Sequence, residues 1–156
     1  MPLVYRSMIP DVTGHQPHVA QDKNSLGVCV SEPPGDHDDM IVIDGDSVLP
    51  IRQGMSVSPS PDSLPIHRIP RRLKKNLPQH LGVPSGNNKC VCWLAGDGEF
   101  RDGLFAASLM FWTEPEGSAT HGVVGPAKRT TLAGYRQALT ATQPVWKRLP
   151  WPWEDR

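Results

Sequence analysis

Gln53-Gly54-Met55-Ser56-Val57-Ser58, followed at once by the proline-rich run 59–70, is the stretch that decides how the rest of the chain folds. In an extended strand the side chains alternate, so Ser56 and Ser58 share one face while Met55 and Val57 take the other. An apolar face seats such a strand on a core, and the serine face then needs water or an occupant. Pro59, Pro61, Pro65 and Pro70 remove backbone donors and force an extended, irregular path beyond it. The stretch therefore predicts a site wall leading into a loop, with a strand solvated on one side as the alternative.

Upstream, Leu3-Val4-Tyr5-Arg6-Ser7-Met8-Ile9 predicts a strand that stops at Pro10. Alternation puts Val4, Arg6 and Met8 on one face and Tyr5 and Ser7 on the other. The bland reading of Arg6 is an edge-strand charge reaching water. Residues 11–23 have no periodicity and read as loop, and residues 26–30 predict a short strand. Six carboxylates and no lysine or arginine lie between Glu32 and Asp46. Asp36-His37-Asp38-Asp39 offers oxygen ligands to a hard cation, but its spacing matches no calcium loop and an acidic turn is the alternative. Met40-Ile41-Val42-Ile43 predicts a strand and Asp44-Gly45-Asp46 a hairpin turn.

Downstream, residues 67–75 carry six basic or imidazole side chains. Such a cluster either holds phosphates or forms a solvated face. Residues 89–95 predict a strand. Cys90-x-Cys92 is too closely spaced for the usual zinc pairs, and no metal site is expected there. Residues 104–112 are apolar without a clear period and predict a short helix running into a strand. Residues 120–126 predict a last strand, and Thr131 to Thr142 predict a helix capped by Thr130 or Thr131, striped by Leu132, Tyr135, Ala138 and Leu139, and ended by Pro144. Three of the five tryptophans, Trp146, Trp151 and Trp153, lie in the proline-rich tail 144–156. They predict packing back on the sheet, or else an aromatic patch for a partner.

The 156 residues suit a single domain, 1–156, with a real core. Sixteen acidic and sixteen basic side chains cancel, which argues against a non-specific polyanion binder. Seventeen prolines and fourteen glycines suit short strands and long ordered loops rather than a helical bundle. Three cysteines cannot all pair, which predicts a reduced, cytoplasmic protein. The first thirty residues lack a basic start followed by an apolar run, so export would proceed without a cleaved signal. The longest uncharged apolar run, 104–113, is about half a bilayer span. No Walker or Rossmann glycine loop and no nucleophile elbow is present.

Three segments, Val4-Tyr5-Arg6-Ser7-Met8, Gly54-Met55-Ser56-Val57-Ser58, and Ala119-Thr120-His121 with Pro126-Ala127-Lys128, stand in the order found in the small type VI secretion toxins with an ADP-ribosyltransferase-like fold, which the chain resembles. The resemblance implies an α+β domain, a compact split β-sandwich of the ADP-ribosyltransferase-like type with few short helices and long loops, and a cleft for NAD. Carried over by position, it assigns Arg6, Ser56 and His121 to catalysis, with Glu114 or Glu116 as alternatives for the third residue. It places Tyr5, Met55, Ser58, His67 and Arg68 against the cofactor. Pro115 departs from the Glu-x-Glu pair of many transferases. A toxin acting inside a target cell further implies a cognate immunity protein. Two other readings stand beside this one: a non-catalytic interaction module of the same fold, and a nucleic-acid-directed protein using the 67–75 cluster with Trp151 and Trp153. The NAD reading predicts that Arg6, Ser56 and His121 meet in one cleft, with Lys74 and Lys75 peripheral to it.

Overall fold

The computed structural model describes residues 1–155. Among them the strands are β1 (Val4–Met8), β2 (Ser47–Val48), β3 (Met55–Val57), β4 (Val91–Ala95), β5 (Gly103–Ala106), β6 (Leu109–Thr113), β7 (Gly122–Pro126), β8 (Thr130–Thr131) and β9 (Lys147–Leu149). One α-helix, α1 (Leu132–Thr140), and several single 3-10 turns complete an α+β chain. The strands form three antiparallel sheets, ordered β1-β4-β9, β3-β7-β6-β5 and β2-β8.

Among the described residues one main-chain bridge joins the two larger sheets. Tyr5 of β1 and Ser58 exchange both main-chain hydrogen bonds, at 2.7 and 3.0 Å. One step further along, where Arg6 and Ser7 would pair with Val57 and Ser56, the strands part. The split between the sheets opens there, and its two walls are the strand of the first arginine and the strand of the serines.

Period-two patterning explains why β1 and β4 hold this position. Val4, Met8, Trp93 and Ala95 enter the main core with Met55, Val57, Phe105, Phe111, Val124, Tyr135 and Trp146. Tyr5 and Cys92 face the other way, into a second core with Leu64, Ile69, Leu73, Leu77, Trp151 and Trp153. The proline-rich run is thus an ordered cover over the far face of the first sheet, pinned by Ile69 and Leu73. Trp146, Trp151 and Trp153 are buried, and Arg72 grips the Glu154 carboxylate with two bonds of 2.5 and 2.8 Å. This burial removes Trp151 and Trp153 from any nucleic-acid face and removes the partner-patch reading of the tail.

Several local expectations hold. Thr131 caps α1 by accepting from Gly134 N at 3.0 Å, and Tyr135 and Leu139 are its buried residues. Asp44 and Gly45 take the positive φ angles, 48° and 84°, of a tight turn that returns Ser47 onto Ile43. Other expectations are corrected. Residues 26–30, buried at 26–28 and half-buried at Cys29 and Val30, form no strand, with only a bridge from Val19 to Leu26; Gly27 O faces the Arg6 guanidinium rather than a strand edge. Of residues 40–43 only Ile43 is paired. Residues 104–112 form the β5–β6 hairpin instead of a helix, turning at Ala107 and Ser108. Its second arm alternates strictly, with Leu109, Phe111 and Thr113 buried between half-buried Met110 and Trp112. Gly122–Pro126 is followed by two further strands, since the chain must still cross to the first sheet as β9.

Candidate active site

Arg6 lies at the point where the sheets part and is 6% exposed, so it is no edge charge reaching water. Its guanidinium meets main-chain carbonyls rather than a carboxylate. Nε and Nη2 donate to Ser25 O at 3.2 and 3.0 Å, Nη2 also approaches Lys23 O at 3.2 Å and Gly27 O at 3.4 Å, and Nη1 donates to Ser56 O at 2.7 Å. Arg6 therefore substitutes for a missing ladder: it ties loop 23–27 and β3 to β1 through side-chain donors. Burial pulls its pKa down to about 10, against an opposing attraction from Asp39. The group stays charged at neutral pH. With one acceptor for the two Nη1 hydrogens, one N–H remains for a ligand.

A cavity of about 240 Å³ opens beside this guanidinium, lined by Arg6, Ser7, Lys23, Ser56, Val57, Ser58, Leu64, Pro65, His67, Arg68 and His121. The three residues assigned to catalysis, separated by fifty and sixty-five positions, meet in it. Ser58, His67 and Arg68 join them. Tyr5 and Met55 do not: the Tyr5 ring packs in the second core, and Met55 is fully buried in the main core. Glu114 and Glu116 are also absent from the wall. Glu116 lies 3.3 Å from Arg52 Nη2 on another part of the surface, where Asp102 already holds Arg52 at 2.5 Å. Lys74 and Lys75 are exposed and outside the cavity.

His121 stands immediately before β7 in a fixed orientation. Glu114 N donates to His121 O at 3.1 Å, His121 N donates to Ser118 Oγ at 3.2 Å, and ring Nδ1 lies 2.9 Å from Glu114 O. Glu114 thus serves the site through its backbone. Ser56 gives its carbonyl to Arg6, and its hydroxyl has no hydrogen-bond partner among the described residues. Ser7 Oγ, buried beside the weakly accepting Cys90 thiol, makes no hydrogen bond of good geometry. An orphan buried hydroxyl in a cavity wall points to a bound group or water that completes it.

The cavity wall carries Arg6, Lys23, His67, Arg68 and His121 and no carboxylate. Lys23 Nζ is shared with Asp39 at 3.0 Å, and Asp39 also accepts from Cys29 N at 2.6 Å. Arg68 has no side-chain hydrogen bond among the described residues, and burial lowers its pKa, with Asp39 opposing. Burial and then the Arg68 charge lower the His67 pKa. A chain of zero net charge therefore presents a locally cationic pocket suited to an anion. Its volume falls below the roughly 300–1,000 Å³ of a pocket that encloses a drug-sized ligand, so it has room for one end of a larger molecule and not for the whole of one.

Lys23, Ser7, Leu64 and Pro65 are wall residues that the pattern of the sequence did not single out. Lys23 stands in an aperiodic loop that is held to β1 by the Arg6 guanidinium on its carbonyls and, just past the strand, by Ile9 N donating to Asn24 O at 2.7 Å. The acidic turn has a local use: Asp38 accepts from Ser31 N and Gly35 N at 3.0 and 3.1 Å. Among the described residues no three His, Cys, Asp or Glu side chains group to hold a metal ion, and no helix is long and apolar enough to cross a membrane. A larger groove of about 680 Å³, between the acidic turn and α1, contains none of the residues assigned to catalysis. Cys90 and Cys92 are buried free thiols, and burial pushes Cys92 up to about 12.

No protein-family model, curated protein or solved structure matches this chain.

Proposed function

We propose that the chain is an ADP-ribosyltransferase-like toxin that uses NAD inside a target cell, its producer being protected by a cognate immunity protein. One observation carries the reading: Arg6, Ser56 and His121, assigned from three separate segments, converge on one cationic cavity at the parting of two sheets. NAD would enter with its diphosphate toward Arg68 and His67, where free donors and positive charge suit phosphate oxygens. Its nicotinamide ribose would lie toward Ser56 and His121. The Ser56 hydroxyl can both donate to and accept from a carboxamide. Arg6 holds the two walls at fixed separation and adds one N–H.

Arg68 is the residue on which to test binding, because Arg6 is consumed by the fold. Loss of a charge-assisted contact to phosphate is worth about 1.5–3 kcal/mol, roughly ten- to a hundredfold in affinity. Calorimetric titration of wild-type protein and Arg68→Ala with NAD should show that loss, with thermal melts that coincide. No heat and no thermal shift at millimolar NAD for the wild type would sink the reading. The anion-binding interaction module is then the better account, favoured by a cleft without a carboxylate.

A further inference from the structure

We infer that the group accepting ADP-ribose in this site is a neutral hydroxyl and that His121 Nε2 takes its proton. The inference rests on the NAD reading above and adds the acceptor to it.

The tautomer of His121 follows from its partner. A carbonyl oxygen only accepts, so the 2.9 Å contact with Glu114 O requires the hydrogen on Nδ1. In the neutral ring the lone pair is then on Nε2, which has no partner among the described residues. His121 lines the same cavity as Ser56 and Arg6, and Nε2 is the ring nitrogen it has left to offer there. The main chain thus orients the imidazole as a base without any side-chain carboxylate behind it.

Charge narrows the acceptor. Arg6, Lys23 and Arg68 stand in the wall and no carboxylate does, so a guanidinium or ammonium acceptor meets like charge with no opposite charge to hold it. An ionised carboxylate needs no base, and it would compete for the cations that hold the dinucleotide phosphates. A hydroxyl is uncharged, tolerated by the cations, and improved as a nucleophile by proton removal. In the step, an oxygen lone pair forms the bond to the anomeric carbon of the nicotinamide ribose. The C–N glycosidic bond breaks, and its electron pair passes to the ring nitrogen of nicotinamide, which leaves neutral. The hydroxyl proton passes to Nε2, giving an imidazolium whose Nδ1–H stays on Glu114 O.

The hydroxyl is that of water or of a macromolecular alcohol, and one experiment separates them. Wild-type protein and His121→Asn are incubated with adenine-labelled NAD and a bacterial lysate. Nicotinamide release, free ADP-ribose and macromolecule-bound label before and after neutral hydroxylamine or mercuric ion are then measured. Asn keeps an N–H where Nδ1 stood and removes Nε2; His121→Gln is the second variant if Asn does not fold. Free ADP-ribose identifies water, bound label that resists both hydroxylamine and mercuric ion identifies an alcohol, and label released by mercuric ion marks a thiol acceptor and overturns the inference. In either case the variant should bind NAD within about threefold of wild type and release nicotinamide about a hundredfold or more slowly. Label released by hydroxylamine, as from arginine or carboxylate adducts, overturns the inference while leaving NAD use intact. So does a folded variant within about tenfold of wild-type turnover. Wild-type protein that fails to bind NAD overturns the parent reading, and the acceptor assignment with it.

Discussion

Arg6 serves the fold before it can serve a ligand. Five contacts to main-chain carbonyls make it a fastener between loop 23–27, β1 and β3, and only one N–H is left for a ligand. Removing it leaves carbonyls of Ser25 and Ser56 without their donors in a region closed to much of the solvent. Each such orphan costs about 1–3 kcal/mol, so Arg6→Ala should lose about 3–5 kcal/mol of stability in urea denaturation. Lysine offers a single nitrogen where three diverging ones are in use, so Arg6→Lys should recover less than half of that loss. An Arg6→Ala protein with an unchanged urea midpoint would show that the carbonyl contacts hold nothing. Loss of function on changing Arg6 therefore reports folding as much as binding, which is why Arg68 and His121 carry the functional tests.

At the scale of elements, the serine strand is positioned by the helix behind it. Tyr135 Oη accepts from Met55 N at 3.1 Å and donates to Val124 O at 2.5 Å, joining β3, β7 and α1 in the dry core. Burial pushes this phenol well above its ordinary range, so it remains a donor. Gly54 makes the approach possible: at φ 144°, a Cβ there would stand 2.3 Å from Val124 O and 2.6 Å from Tyr135 Oη. Tyr135→Phe keeps the ring and strands one amide and one carbonyl, at a cost of about 1–3 kcal/mol. Hydrogen exchange at Met55 N should accelerate relative to amides of β4. Exchange that is unchanged at Met55 would mean that β7 alone holds the strand.

Over the whole molecule, charge is separated rather than absent. Carboxylates gather in 32–46 and cations in the cavity wall and in 67–75, so zero net charge conceals a local positive field. Within the basic run the division is sharp. His67 and Arg68 stand in the wall, Arg72 fastens Glu154, and Lys74 and Lys75 are exposed. The double change Lys74→Ala, Lys75→Ala should leave NAD-dependent turnover and stability within a few-fold and about 0.5 kcal/mol of wild type, respectively. A collapse of activity in that variant would favour a polyanion substrate over NAD.

What the sequence determined was local in origin. Alternation at 53–58 settled which of Met55, Ser56 and Val57 is core, Thr131 and the apolar stripe settled α1, and Asp44-Gly45 settled a turn, because each depends on a few neighbouring residues and backbone geometry. The β5–β6 hairpin was not legible in this way: Leu109-Met110-Phe111-Trp112 is a continuous apolar run, which hides its period until the partner strand is known. Tertiary structure alone decided the rest. Which carbonyls meet the Arg6 guanidinium, why loop 23–27 reaches the site, and why His121 rather than Glu114 or Glu116 faces the cavity all follow from chain segments tens of residues apart brought within hydrogen-bond distance. A side chain's partners across a split between sheets are set by where the sheets part, and nothing local in a sequence encodes that point.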